Sequence, residues 1–275
     1  MKGTSIAFVI EKGGTGKSAA CFNIGWELSK TGSVLLIDLD GQASNLSYFC
    51  GVNTSTGVLT IGSVLDEEST LKDSVVNIHE NLDILPADDS IVDIGTRDHF
   101  IKLAQKYDFS SSMAYRLHLI KRMQKIVRTA CRSYDYVLLD PNPSPNYLHV
   151  LSLCAAEHII IPVLPDAASV ISVQGTADSL EIIRKNKLNR NVNVLGILFN
   201  RYTSRTNLSR EVTDILNEYA SEMGTTVFTN TIRQSVYMSE CVGEHIGITD
   251  YKPRSSIAED VRNVVTEIKR RLENE

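Results

Sequence analysis

The stretch that decides the fold reads IAFVIEKGGTGKS and occupies residues 6–18. Its first five residues are apolar and predict a short buried strand, and a helical pattern follows the glycine-rich turn at once. A turn of this composition gathers several backbone N–H groups at a helix N-terminus, where the helix dipole also favours an anion. The stretch therefore predicts a phosphate-binding loop that joins the first strand to the first helix.

The residue types within this loop suit a nucleotide with bound Mg²⁺. Lys17 would reach the β and γ phosphates, and Ser18 would offer its hydroxyl to Mg²⁺. The other residues expected to contact the nucleotide here are Gly13, Gly14, Thr15, Gly16 and Ala19. The common P-loop pattern has glycine seven residues before the Ser or Thr, but this chain has Glu11 there, followed by a second lysine, Lys12.

Two later strand-like runs end in carboxylates. Val34–Ile37 leads into Asp38 and Asp40, and Tyr136–Leu139 leads into Asp140. Doubly wound folds bind ligands in the crevice at the carboxyl ends of their strands, so we expect these side chains near the loop.

The rest of the chain repeats the alternation of short apolar runs with longer helical patterns. Several runs lack polar alternation, as in strands buried on both faces of a parallel sheet, and the segments between them are long enough for crossover helices. The runs are Ile6–Ile10, Val34–Ile37, Leu82–Leu85, Tyr136–Leu139, His158–Val163 and Val192–Phe199, and helices are predicted over Ala19–Lys30, Ser112–Arg132 and Ser256–Leu272. The pattern predicts an α/β doubly wound fold, with a mainly parallel sheet and helices on both faces. We expect a single domain over residues 1–275, because no repeat or linker interrupts the pattern.

Composition narrows the class of protein. Apolar residues make up 43% of the 275 residues, yet no apolar run is long enough to span a bilayer. The five cysteines show no metal-ligand spacing, so we expect them to be buried, reduced side chains. The first residues lead straight into a strand-like run, which argues against a signal peptide. We expect a cytoplasmic protein without a membrane anchor.

Charge is distributed unevenly along the chain. The net charge is −5, yet residues 182–210 hold seven basic residues and no acidic one. Residues 109–134 also lack acids, and Lys121, Lys125, Arg128 and Arg132 fall there at helical spacing on one face. Such a face is either simply solvated or part of a nucleic-acid-binding surface, and the acidic total does not exclude a local basic patch.

The loop resembles the deviant Walker A motif of the ParA/MinD ATPases, in which two lysines five apart surround three glycines. The run Asp38-Leu39-Asp40-Gly41-Gln42 is similar to the family's Asp-x-Asp-Pro-Gln, with glycine in place of proline. Asp140 ends a Walker B-like strand, and the next residues, Pro141-Asn142-Pro143-Ser144, replace the usual Thr-Pro-Pro-Ser. The likeness continues into the C-terminal half and is greatest to short ParA proteins, which lack an N-terminal helix-turn-helix domain.

The resemblance implies roles for individual residues. Lys12 would cross the interface of an ATP-bound homodimer to the partner's nucleotide, and Lys17 would bind phosphate in its own subunit. Asp40 would orient the attacking water, and Asp38 would support the Mg²⁺ shell. Asp140 would contact Mg²⁺ through water, because this ion keeps much of its hydration in proteins. Asn200 would read adenine or merely cap a turn. Arg201, Arg205 and Arg210 are the expected contacts to non-specific DNA.

The resemblance further implies an ATPase of DNA partition that is weak without its partner. It would bind non-specific DNA on the nucleoid in the ATP state and release it on hydrolysis stimulated by a ParB-like centromere-binding adaptor. Two alternatives stay open at this point. One is a relative that positions a protein cargo, and the other, less favoured, is a metabolic P-loop enzyme.

Overall fold

The computed structural model describes residues 3–42, 45–107, 109, 111–143, 146–202 and 207–274, and for residues 207–210 only the backbone. The strands are β1 Thr4–Phe8, β2 Val34–Leu39, β3 Val76–His79, β4 Leu82–Leu85, β5 Tyr136–Pro141, β6 His158–Val163 and β7 Asn193–Phe199. The helices are α1 Lys17–Ser29, α2 Asn45–Phe49, α3 Ile61–Leu65, α4 Leu71–Ser74, α5 Arg97–Ala104, α6 Ser112–Ala130, α7 Tyr147–Ala155, α8 Ala167–Lys185, α9 Asn207–Glu222, α10 Val236–Gly243, α11 Ile248–Tyr251 and α12 Ser256–Glu273.

The strands form one sheet in the order β3-β4-β2-β5-β1-β6-β7. Every neighbouring pair is parallel except β3 with β4, which confirms the predicted doubly wound fold. In the register of β2 with β5, Asp38 pairs with Asp140 and Leu39 with Pro141. The carboxylates that end these two strands are therefore direct neighbours at one edge of the sheet.

Alternate residues of the strands feed two separate cores. Ile6 and Phe8 of β1 pack in the core under α1, α2 and α10–α12. Ala7 and Val9 belong to the core on the opposite face, beneath α3 and α5–α9. Both faces of the sheet are thus buried, which explains why the central strands read as continuous apolar runs.

Most predicted boundaries agree with the structure to within two residues. β4 and β6 have the predicted bounds, whereas β1 begins and ends two residues earlier than expected. The edge strand β3 was not predicted, because its four residues alternate between half-buried and exposed and carry little apolar signal. The buried apolar residues of α6 and α12 pack into the two cores, one on each face of the sheet.

Helix α12 also fixes a segment that lies between α9 and α10. The buried carboxylate of Glu267 accepts hydrogen bonds from the backbone N–H groups of Thr229 at 3.0 Å and Asn230 at 2.9 Å. Arg271 donates to Glu267 at 2.8 Å and to the carbonyl oxygen of Leu195 in β7 at 2.7 Å. The C-terminal helix therefore ties this segment to the last strand of the sheet.

Two further observations concern the chain as a whole. Within the described ranges, no helix has both the length and the apolar character that a bilayer crossing needs. The five cysteines are buried and unbridged, as expected from their sequence context.

Candidate nucleotide site

The glycine loop follows β1 at the centre of the sheet and ends where α1 begins. Gly14 and Gly16 have φ angles of +77° and +75°, a region that favours glycine. A Cβ atom on Gly16 would also lie 2.7 Å from Nδ2 of Asn200. Gly16 is the N-cap of α1, and no described side chain caps this helix end. The first backbone N–H groups of α1 are therefore oriented to bind an anion.

Lys17 and Asp140 form a buried ion pair beneath the loop. Lys17 Nζ contacts Asp140 Oδ1, and the two side chains are 5% and 0% exposed. Asp140 Oδ2 and Thr15 Oγ1 are buried and have no hydrogen-bond partner among the described residues. Unpaired buried oxygens are costly, so both atoms point to a ligand that would satisfy them.

Asp38 lies beside this pair in a fully buried position. It accepts hydrogen bonds from the backbone N–H of Asp40 at 3.0 Å and from the N–H and hydroxyl of Ser47 at 2.9 and 2.7 Å. Burial and the neighbouring Asp140 carboxylate raise the pKa of Asp38 to about 7. A divalent cation at this edge would favour the ionised form of both carboxylates.

The oxygen donors at this position fit Mg²⁺. Asp140 offers the unpaired oxygen, and the Ser18 hydroxyl lies at the N-terminus of α1 beside the phosphate cavity. Asp38 is already engaged by Ser47, so it suits a supporting place behind the ion. Oxygen donors with room for water are what this hard cation prefers.

Asp40 lies at the wall of the same cavity and is 4% exposed. Asn142, just beyond β5, donates from Nδ2 to Asp40 Oδ1 at 2.7 Å. The carboxylate is therefore held by a side chain from the neighbouring strand end.

Lys12 has a different environment from Lys17. Its Nζ contacts both carboxylate oxygens of Asp166, at 2.7 and 2.6 Å, and its side chain is 20% exposed. Asp166 is the N-cap of α8 and also accepts from the N–H of Ser169 at 2.9 Å. Burial alone would raise the pKa of Asp166, but the Lys12 ammonium and the hydrogen bonds from Ser169 together lower that pKa below its usual value. Lys12 is thus held within its own subunit, at the rim of the phosphate cavity.

Asn200 connects the end of β7 to the glycine loop. Its Nδ2 donates to the carbonyl oxygens of Thr15 at 2.8 Å and Gly16 at 3.0 Å. Its Oδ1 accepts from the N–H of Arg201 at 3.0 Å, and Arg201 Nη1 donates to the carbonyl oxygen of Gly14 at 3.1 Å. Both hydrogen bonds that the Nδ2 group donates here go to the loop. Recognition of adenine by Asn200 stays a prediction.

Two cavities meet above the loop. The smaller, of about 200 Å³, is lined by residues 12 and 14–19 together with Asp40 and Pro143. The larger, of about 510 Å³, is lined by Asn200, Arg201 and residues of the segment 232–242. They share Gly16, Ala19 and Phe49 as walls. A triphosphate in the first cavity would place the nucleoside in the second.

His149 of α7 lies behind the loop and was not predicted as part of the site. It is 1% exposed, and neither ring nitrogen has a hydrogen-bond partner among the described residues. Its Nε2 is 3.6 Å from Glu11 Oε1, too far for a hydrogen bond that would stabilise the charged ring. Burial and the nearby Lys17 charge lower the pKa of His149 to about 4. The ring is therefore neutral at physiological pH.

The residues predicted to bind DNA are only partly described. Arg201 is exposed beside the loop. Arg205 lies outside the described residues, and Arg210 lies on α9 in the part for which only the backbone is described. The basic side chains predicted on one face of α6 or just beyond it are all exposed, namely Lys121, Lys125, Arg128 and Arg132.

A glycine loop after a central strand, with carboxylates at the ends of two neighbouring strands, defines a P-loop nucleoside triphosphatase. The family model described as an AAA domain (AAA_31) matches residues 3–194. A virulence-plasmid ParA family protein, pGP5-D of Chlamydia psittaci, is 27% identical over 271 residues, covering 98% of this chain and 95% of the relative. The chain belongs to this family of ParA-, Soj- and MinD-like P-loop ATPases.

Solved structures share the fold. McdA from Cyanothece, in its apo form, aligns with a TM-score of 0.81 at 19% identity over 98% of this chain and 99% of that one. MinD from Pyrococcus horikoshii, complexed with Mg-ADP, aligns with a TM-score of 0.72 at 21% identity over 96% and 95%. The protein is an ATPase, and the phosphate cavity and oxygen donors described above fit ATP with Mg²⁺.

Proposed function

We propose that this ATPase is a nucleotide-gated switch of DNA partition. In this proposal Lys17 and the loop residues 13–19 bind the phosphates, and Ser18, Asp38 and Asp140 hold Mg²⁺, which neutralises phosphate charge. Asp40 orients the attacking water, and Asn200 contacts the adenine side of the nucleotide. The Asp40 carboxylate suits that role because it lies at the cavity wall beside the phosphate-binding residues.

The observation that carries the gating role is the position of Lys12. Its ammonium lies at the cavity rim, partly exposed, while Lys17 already occupies the position beneath the loop. A rim lysine can contact the phosphates of a second subunit without leaving its own loop. ATP would then stabilise a homodimer by supplying the negative charge between two such lysines.

The proposed binding of DNA rests on basic residues at two places. Arg201 lies beside the glycine loop, close to the proposed dimer face. The exposed basic side chains on α6 and just beyond it have no carboxylate within ion-pair distance among the described residues, namely Lys121, Lys125, Arg128 and Arg132. Contacts of this kind bind phosphate rather than base edges, so binding would be independent of DNA sequence and sensitive to salt. The relative from Chlamydia psittaci is named as a plasmid ParA protein, which also favours partition.

Anisotropy of a labelled random-sequence duplex, measured with ATP, ADP and no nucleotide, tests the proposal. Light scattering on the same samples gives the mass of the protein. We expect a dimer with ATP and DNA affinity at least tenfold higher than in the other two states. An ATP dimer without DNA affinity would instead favour the protein-cargo alternative, and a protein that stays monomeric with ATP would contradict the gating role.

A further inference from the structure

Two turns at one edge of the sheet differ from the family pattern, the turn after Asp40 and the turn after β5. Gly41 replaces the usual proline after Asp40, and Asn142 stands where the family usually has a proline in the turn after β5. The register of β2 with β5 pairs Leu39 with Pro141, so the two altered turns are neighbours at the same edge of the sheet. Proline would stiffen the first turn, and this chain lacks it.

The packing around Gly41 excludes any side chain at that position, proline included. A Cβ atom there would lie 2.7 Å from the carbonyl oxygen of Asp88 and 2.6 Å from Cγ1 of Ile91. The Asp88 turn cannot easily move away. Its carboxylate accepts from the hydroxyls of Thr60 at 3.0 Å and Ser90 at 2.5 Å. A proline therefore cannot restrain the Asp40 loop in this chain, and a side-chain contact can do so instead.

Asn142 supplies a direct contact of that kind. Its Nδ2 donates to Asp40 Oδ1 at 2.7 Å, and both side chains are at least 95% buried. The backbone N–H of Asp40 is itself bonded to Asp38 Oδ1 at 3.0 Å. The main chain and the carboxylate of Asp40 are thus fixed from two different strand ends.

We propose that Asn142 is a positioning residue of hydrolysis in this chain: its amide fixes the orientation of the Asp40 carboxylate, whose loop lacks the proline of the family pattern. This inference rests on the proposed role of Asp40. Asn142 acts through Asp40, so its loss would slow cleavage and leave binding of the nucleotide unchanged.

The test compares single-turnover hydrolysis of pre-bound ATP in four variants with ATP affinity measured separately. We expect Asn142→Ala to lower the hydrolysis rate by about 10- to 100-fold, the range expected for a misplaced reacting group, with the Kd for ATP within about twofold of wild type. Asn142→Asp, almost identical in shape, should lose at least as much because it places an acceptor against Asp40. Asp40→Ala gives the rate without the carboxylate.

Asn146→Ala is the matched control in the same segment after β5. Asn146 caps α7 by accepting from the N–H of His149 at 3.0 Å, and removing it loosens the segment by another route. We expect this control to lower the Tm while the hydrolysis rate stays near wild type.

The outcomes separate the role of Asn142 from the role of Asp40. Wild-type hydrolysis in a folded Asn142→Ala or Asn142→Asp variant, while Asp40→Ala is inactive, overturns the positioning role alone. The positioning role is also overturned if Asn142→Ala and Asn146→Ala lose hydrolysis rate and ATP affinity to the same extent. Such a result indicates general loosening of the segment. Wild-type hydrolysis in Asp40→Ala overturns the role proposed for Asp40 itself.

Discussion

The outer half of the glycine loop, residues 11–14, and its inner half, residues 15–18, hold their lysines in opposite ways. Lys17 in the inner half is buried against Asp140, whereas Lys12 in the outer half pairs with Asp166 at a partly exposed rim. The Asp166 carboxylate is 41% exposed and also accepts from the N–H of Ser169, so it would keep a partner if Lys12 contacted another anion. An exposed pair contributes little stability, while breaking a buried one is costly. One loop thus combines a buried cation with a partly exposed one.

The largest expected effect comes from removing the inner cation. Lys17→Ala should weaken ATP·Mg²⁺ binding by at least 100-fold, because it deletes the charge that faces the β and γ phosphates. Isothermal titration gives the affinity, and circular dichroism verifies the fold, since Asp140 is left buried without its partner. Nucleotide affinity close to wild type would place the phosphates elsewhere.

Removal of the outer cation should leave ATP binding nearly intact. Lys12→Ala is expected to bind ATP with a Kd within about threefold of wild type. It should lose most of its ATP-dependent dimerisation and most of its hydrolysis rate, since the phosphate that Lys12 is proposed to contact belongs to the partner subunit's nucleotide. Light scattering and phosphate release provide the readouts. Asp166→Asn, which frees Lys12, is the paired variant and should keep the ATP dimer. Full hydrolysis by a monomeric Lys12→Ala protein would contradict the division between the two halves.

The arginine beside the loop is expected to contribute to DNA binding. The Arg201 side chain donates to the carbonyl oxygen of Gly14 in the outer half of the loop. Arg201→Glu should lower DNA affinity in the ATP state by about tenfold. The slope of log affinity against log salt should become shallower by roughly one unit for each DNA phosphate that the variant no longer neutralises. Unchanged DNA affinity in a confirmed ATP dimer would remove Arg201 from the surface.

Lys125→Glu with Arg128→Glu tests separately whether the exposed face of α6 belongs to the same surface. Here we expect a smaller loss of DNA affinity, of a few-fold, with nucleotide affinity and dimer mass unchanged. A loss shared equally by all three nucleotide states would indicate a contact that is independent of ATP.

The last expected effect is on stability and concerns the histidine behind the inner half. The pKa of His149 falls from its ordinary 6.5 to about 4 on folding, so the unfolded chain binds a proton that the native chain resists. The contribution of neutral His149 to the free energy of unfolding is fully present above pH 6.5. It decreases as pH falls towards 4, by about 2 kcal/mol at pH 5. Denaturant unfolding between pH 7.5 and 5 should show a flatter profile in His149→Gln than in wild type. His245→Gln, at an exposed position, is the control, and equal profiles for the two variants would refute the assignment.

The sequence predicted the fold because its strongest signals are local. Runs buried on both faces are apolar throughout, and the loop, Asp38 and Asp140 each follow such a run directly. Edge strand β3 was missed because half of its surface faces solvent. The residues that hold the site were also missed, since Asp166 is 154 positions from Lys12 and Asn142 is 102 from Asp40. Contacts of this kind arise from the packing of strands and leave no periodic pattern in the chain.

The bonds that join α12 to the rest of the molecule have a consequence for the order in which the site is made during synthesis. The phosphate loop is complete once residue 18 is added, but the wall of the larger cavity belongs to a segment that Glu267 and Arg271 hold in place. Ribosomes add about 5–20 residues per second, so roughly 10–50 s separate the two events. A nascent chain of this protein therefore has its phosphate-binding motif long before it has a finished place for the nucleoside.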